Sequence, residues 1–180
     1  MTCVAGSSWQ PDEDLFIEYF NQHPEVKLVI APHVIDENHL VEIIRKLKRP
    51  YVRYTRADEK NVRKADCLII DCFGLLSSIY RYGEIAYIGG GFGVGIHNTL
   101  EAAVYGIPVI FGPKYQKFQE AIQLLEAKGA FSVKDYEELK TLLDRMLTDE
   151  VFLRESGMNA SNYVTGNAGA TDKIMSMINF

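Results

Sequence analysis

Residues 85–103 read Ile-Ala-Tyr-Ile-Gly-Gly-Gly-Phe-Gly-Val-Gly-Ile-His-Asn-Thr-Leu-Glu-Ala-Ala. Four residues of strand character, Ile85 to Ile88, run into five glycines within seven positions, and the chain resumes as the start of a helix. An apolar run without polar alternation fits a strand covered on both faces, which is the habit of parallel sheets. The same order of strand, loop and helix repeats outward from this stretch. Upstream, Thr2–Ala5, Lys27–Ala31, Tyr51–Tyr54 and Cys67–Ile70 read as strands; downstream, Pro108–Phe111 and a short Ala130–Val133 do. Helices are expected over Pro11–Gln22, Asp36–Leu47, Gly74–Tyr82, Asn98–Tyr105, Phe118–Lys128, Asp135–Leu147 and Asp149–Tyr163, with a last piece near Ala170–Ile178. Pro11 ahead of an acidic first turn, and Gly106 and Gly129 behind last turns, mark several helix ends. The fold class is therefore α/β, a single Rossmann-like domain whose parallel sheet is flanked by helices, with a helical tail. From Asp135 on, helix follows helix, and that tail must cover one face of the sheet or reach a partner domain.

At 180 residues, 47% hydrophobic and 24% charged, the chain is expected to form one compact domain. Its 19 Lys+Arg against 24 Asp+Glu leave a net charge of −5, which argues against a surface built for nucleic-acid phosphates. Nine of those basic residues and two acids lie between Arg45 and Lys64, so this window carries +7 and the rest −12. Such a face would hold a protein near an anionic membrane, although a solvated helix and loop explain it equally simply. Cys3, Cys67 and Cys72 lack framework or zinc-ligand spacing, so reduced thiols and no metal are expected. No secretory leader is visible, and the longest uncharged stretch, Ile85–Leu100, has 16 residues with five glycines, short of a spanning helix.

Ligands of open α/β sheets sit at the carboxyl ends of strands, and the glycine stretch begins at one. Glycines admit a bulky ligand close to the backbone, and a helix start offers unpaired N–H groups, so Gly91, Gly93 and Gly95 make a candidate phosphate loop. The spacing departs from the dinucleotide fingerprint, and no GK[ST] marks a P-loop. A purely structural role is the competing reading: glycines also serve tight turns, and Asn98 with Glu101 forms a capping pattern. Other candidates follow other strands: Gly6-Ser7-Ser8-Trp9, Pro32-His33, Asp71-Cys72-Phe73-Gly74-Leu75, and the loop of Lys114, Gln116, Lys117 and Gln119. No Ser-His-Asp order, carboxylate pair or HExxH motif supplies a general base, so the chain reads as a donor-holding half with no catalytic residue of its own.

Gly89-Gly90-Gly91-Phe92-Gly93, Gly95 through Ala103, Gly106-Ile107-Pro108-Val109 and Phe111-Gly112-Pro113 resemble the carboxyl-terminal half of 3-deoxy-D-manno-octulosonic acid (Kdo) transferases. The resemblance extends through Ala5-Gly6-Ser7-Ser8 and Pro32-His33 and covers most of residues 3–165. It implies a two-domain GT-B glycosyltransferase. The amino-terminal half, absent from this chain, would bind the lipid A precursor and carry the base, while residues 1–180 would bind CMP-Kdo. It implies inverting transfer with no metal or cofactor, in lipopolysaccharide biosynthesis, peripherally at the cytoplasmic face of the bacterial inner membrane. Pro32 with His33, Phe73-Gly74-Leu75 and Asn98-Thr99-Leu100-Glu101 would contact the CMP part, with Ser7 nearby in the interdomain cleft. Relatives often carry arginine at position 33 and glutamate at 75, so side-chain roles for His33 and Leu75 depart from the family pattern. The runners-up are another GT-B transferase or epimerase using a UDP-sugar, and a non-catalytic nucleotide-binding module.

Overall fold

The computed structural model describes residues 1–168, so the helical piece expected near 170–178 lies outside the described residues. Seven parallel strands form one sheet in the order β3-β4-β2-β1-β5-β6-β7: β1 Thr2–Ser8, β2 Lys27–Pro32, β3 Tyr51–Arg53, β4 Cys67–Ile69, β5 Ile85–Ile88, β6 Val109–Phe111 and β7 Ala130–Ser132. On one side of β1 the chain adds β2, places β3 at the edge and inserts β4 between them; it then returns to pair β5 against β1 and builds outward through β6 and β7 on the other. The carboxyl ends of β1 and β5 therefore flank the topological switch point, where α/β sheets open a crevice.

Alternation along the strands divides the core. Cys3, Ala5, Leu28, Ile30, Ile85 and Tyr87 face one side, with Phe16, Phe20, Leu40 and Ile43 from α1 (Gln10–Gln22) and α2 (Glu37–Lys46) packed on them. Val4, Val29, Ala86, Ile88, Val109 and Phe111 face the other, against Ala102 and Ala103 of α5 (Leu100–Ala103) and Ala121 and Leu124 of α6 (Gln119–Glu126). Each fully buried large aliphatic or aromatic side chain stabilises the fold by about 1.5–3 kcal/mol.

The tail covers both faces. Helix α7 (Tyr136–Thr148) lies on the α1 side, where the Tyr19 hydroxyl donates to Asp144 Oδ1 at 2.9 Å. Helix α8 (Glu150–Asn167) crosses to the other face, with Ala160 on Gly129 and Gly157 on Gly106, and the Tyr163 hydroxyl donates to Gln123 Oε1 at 2.6 Å. A Cβ on Gly157 would stand 2.2 Å from the Gly106 carbonyl oxygen, so small residues are what permit this approach.

Four expectations need correction. Strand β1 runs to Ser8, because Gly6 O accepts from Gly89 N–H and Ser8 O accepts from His33 N–H, both at 2.9 Å; what read as a loop continues the pairing through a bulge at Ser7. The helix expected over Asn98–Tyr105 shrinks to the four residues of α5, since the chain tightens into a turn ending at Gly106 with φ +70°. The helix expected over Gly74–Tyr82 is α4 (Leu76–Ile79) followed by a 3₁₀ turn at Tyr80–Tyr82. Between β3 and β4, a 3₁₀ turn at Tyr54–Arg56 and the short helix α3 (Glu59–Val62), capped by Asp58, occupy what reads as a plain connection.

Much of the basic window is committed internally. Arg49 donates to the carbonyls of Phe20, His23, Pro24 and Val26, and Arg53 pairs with Asp71 and Glu37. Lys46 pairs with Asp14. Among the described residues, no helix is long and apolar enough to cross a membrane.

Candidate functional site

A cavity of about 250 Å³ opens at the carboxyl ends of β1, β2 and β4, and Ser7, Pro32, His33, Cys72, Phe73 and Gly74 line it. Three separately identified loops therefore meet at one place. Phe73 is 82% exposed and takes no part in the core. Leu75 stands just outside at the start of α4, where Leu76 takes the wall. Ser7 has φ +51°, a left-handed conformation rare outside glycine, and residues held that way cluster at ligand sites.

Beside the cavity lies the glycine loop. A Cβ on Gly89 would fall 2.2 Å from Ser7 O, and one on Gly91 2.6 Å from the backbone of Gly112. Gly90 and Gly95 have φ +93° and +115°. Packing and conformation thus account for four of the five glycines; Gly93, with nothing nearer than 3.9 Å, is the one left open. Lys114 spans this loop, its Nζ donating to Gly93 O at 3.0 Å and its backbone N–H to Gly91 O at 2.9 Å.

The segment 98–101 keeps part of its capping pattern. Asn98 Oδ1 accepts from Leu100 N–H at 3.0 Å, and Asn98 Nδ2 donates to Glu101 Oε1 at 3.1 Å. Thr99 occupies the cap position, fully buried with its hydroxyl unpartnered, whereas Asn98 and Leu100 are exposed. Because α5 has four residues, its macrodipole is slight, and an anion here would be held by individual N–H groups and the Asn98 amide.

Three residues that join these pieces, Asp12, Glu13 and His97, escape sequence reading as site residues, while a fourth, Trp9, closes the 6–9 cluster read from the sequence. Asp12, 1% exposed, is the hub: its Oδ2 accepts from Gly90 N–H at 2.9 Å and Trp9 N–H at 3.0 Å, and its Oδ1 from the Tyr87 hydroxyl at 3.0 Å. Burial raises its pKa, against the pull of those donors and of His97. Glu13, fully buried, accepts from Ser8 Oγ at 3.0 Å and faces His39 Nε2 at 2.9 Å; burial raises its pKa too. Trp9 and His97 each stack on His33 with ring centroids 4.5 Å apart, and the Trp9 indole N–H approaches His97 Nε2 at 3.5 Å, so the three rings form a closed cluster. Burial, then the neighbouring His33, holds the His97 pKa below the ordinary imidazole value, while Asp12 and Glu101 oppose this. The His33–His97 contact is what ties the cavity to segment 98–101.

Of the carboxylates near the cavity, Asp12 and Glu13 are buried and engaged, and Asp71 is paired with Arg53 and Thr55. What remains suits the holding of an anionic, planar ligand.

The parallel sheet, flanking helices and crevice match the fold of GT-B carboxyl-terminal domains. By sequence the chain is similar to Kdo transferases. It is 34% identical over 151 residues to the 3-deoxy-D-manno-octulosonic acid transferase of Aquifex aeolicus, covering 81% of this chain and 41% of that protein. The chain thus spans less than half the length of this relative. No family model matches it. Among solved structures, the C-terminal CMP-Kdo binding domain of WaaA from Acinetobacter baumannii superposes with a TM-score of 0.79 at 19% identity, over 91% of this chain and 89% of that one. Anabaena Alr3699/HepE in complex with UDP and glucose gives a TM-score of 0.69 at 11% identity over 98% of this chain and 48% of that one, so the fold is shared with a protein of different nucleotide.

Proposed function

We propose that this chain is the donor half of a Kdo transferase and holds the CMP part of CMP-Kdo between the 250 Å³ cavity and segment 98–101. The observation carrying this reading is the convergence of Ser7, Pro32, His33, Phe73 and Gly74 on one cavity at the sheet's switch point, in a chain related by sequence to Kdo transferases. Gly91, Gly93 and Gly95 shape the loop, Asn98 and Glu101 meet the ligand through their side chains, and Thr99, Leu100 and Leu75 act through their backbone.

The chemistry follows from charge. As the bond from phosphate to sugar breaks, the leaving nucleotide gains negative charge, and N–H donors fixed at that position stabilise it. The chain's own contribution is to bind, orient and take up that charge. The attacking hydroxyl of the lipid A precursor and its base belong to an amino-terminal domain beyond this chain. In support, Phe73 and Val94 on the loops after β4 and β5 are each 82% exposed, which fits a face made to be covered. The whole enzyme would work at the cytoplasmic face of the inner membrane, the part of the basic window not paired internally, such as Arg63 and Lys64, facing the lipid.

Calorimetric titration with CMP, UMP and AMP tests the reading. CMP is expected to bind at least tenfold more tightly than UMP. A preference for UMP would support the UDP-sugar alternative that the HepE likeness keeps in view, and equal weak heats for all three would overturn the nucleotide site.

A further inference from the structure

The Trp9–His33–His97 ring cluster goes beyond the ligand contact already assigned to His33. Its rings come from three chain segments, after β1, β2 and β5, and His33 lies at 26° to Trp9 and 27° to His97. Of the three rings only His33 lines the cavity, and no lysine or arginine is among the residues that do. The charged and titratable groups around it are few. Asp12 and Glu101 act on His97, and the Trp9 indole N–H approaches His97 Nε2 at 3.5 Å. Lys114 is engaged on Gly93 O across the glycine loop, and Asp71, at the end of β4, is neutralised by Arg53. Cys72 is the other titratable side chain on the cavity wall.

Two imidazolium rings 4.5 Å apart would repel each other. His33 is the exposed ring of the pair and lies against an indole face, which can stabilise a cation, whereas His97 is half-buried. We propose that this ring cluster reads ligand charge: entry of a phosphate monoester dianion is coupled to uptake of one proton by His33, with Trp9 and His97 holding the ring in place. The proposal rests on the nucleotide reading above and adds a linked proton to it. The balance is simple: the proton comes from solvent, the dianion and the imidazolium form an ion pair, and no bond within the ligand changes.

The test is titration of the chain with CMP between about pH 7 and 8.5, above the second phosphate ionisation near pH ~6, in two buffers of different ionisation heat. The expected result is an affinity that falls up to about tenfold per pH unit, a buffer-dependent heat, and neither effect with cytidine. His33→Gln should bind CMP more weakly with a flat pH profile, while His97→Gln should keep the uptake. CMP binding that is independent of pH and buffer would overturn the proposal, as would proton uptake surviving in His33→Gln. No CMP binding at any pH would overturn the nucleotide reading itself, so the two failures are distinct. An unchanged thermal midpoint for His33→Gln shows that the variant is folded.

Discussion

Asp12 shows how much a single side chain carries in this fold. It is an acidic residue in a helix's first turn, which sequence reads as dipole complementation, yet it is buried and satisfies two backbone N–H groups and a tyrosine hydroxyl. Replacing it with alanine leaves all three donors buried without partners. Asp12→Ala is therefore expected to lower the unfolding free energy by about 2–4 kcal/mol in urea titration and to loosen the glycine loop. Glu101→Ala is expected to do the opposite: a stability change of about 1 kcal/mol or less, and at least tenfold weaker CMP binding by calorimetry. A large stability loss with unchanged CMP affinity would make Glu101 a capping residue only. Asp71 gives the pH dependence. Burial would raise its pKa, but the Thr55 hydroxyl and N–H and the Arg53 guanidinium outweigh that and hold it below the ordinary carboxylate value. A depressed carboxylate contributes stability above its unfolded pKa of about 3.9 that is lost as pH falls through the lower native value. Wild type should therefore lose more stability than Asp71→Asn on going from neutral pH to below that value in acid, as urea titrations at each pH would show.

At the scale of elements, the seven strands were legible because each is a short apolar run bounded by punctuation, and parallel pairing needs little else. The helices were legible where they have an amphipathic face, as in α2, α6 and α7, or a marked start, as at Pro11 in α1, and illegible where tertiary contacts cut them short. Nothing in Asn98 to Tyr105 announces that only four residues stay helical, because Gly106 is placed by its contact with Gly157, some fifty residues on. The tail was recognised as helical, but its wrap over both faces depends on Gly129 and Gly157 meeting Ala160 and Gly106. Gly129→Ala puts a Cβ 2.6 Å from the Ala160 backbone and should cost about 1–3 kcal/mol, seen as a lowered thermal midpoint with secondary structure retained. The site divides the same way. Residues directly after strands, Trp9 among them, were found from topology, whereas Asp12, Glu13 and His97 matter through partners farther along the chain, as Asp12 does through Gly90 N–H, 78 residues away.

At the scale of the molecule, the carboxyl ends of five strands bring their loops together, and the proposed role of these loops is to hold an anion. That role fits a chain spanning less than half of its Aquifex relative. It also explains why the face around Phe73 and Val94 is apolar and exposed while the opposite ends of the strands are tied down by backbone contacts, as where Lys27 N–H meets Met1 O at 2.8 Å. The most direct measurement is a two-dimensional amide NMR titration of the labelled chain with CMP. The account predicts that the largest shifts fall on Ser7, His33, Phe73, Gly74 and residues 98–101, with the α7 and α8 amides unmoved. Shifts centred elsewhere, or none at saturating CMP, would contradict it.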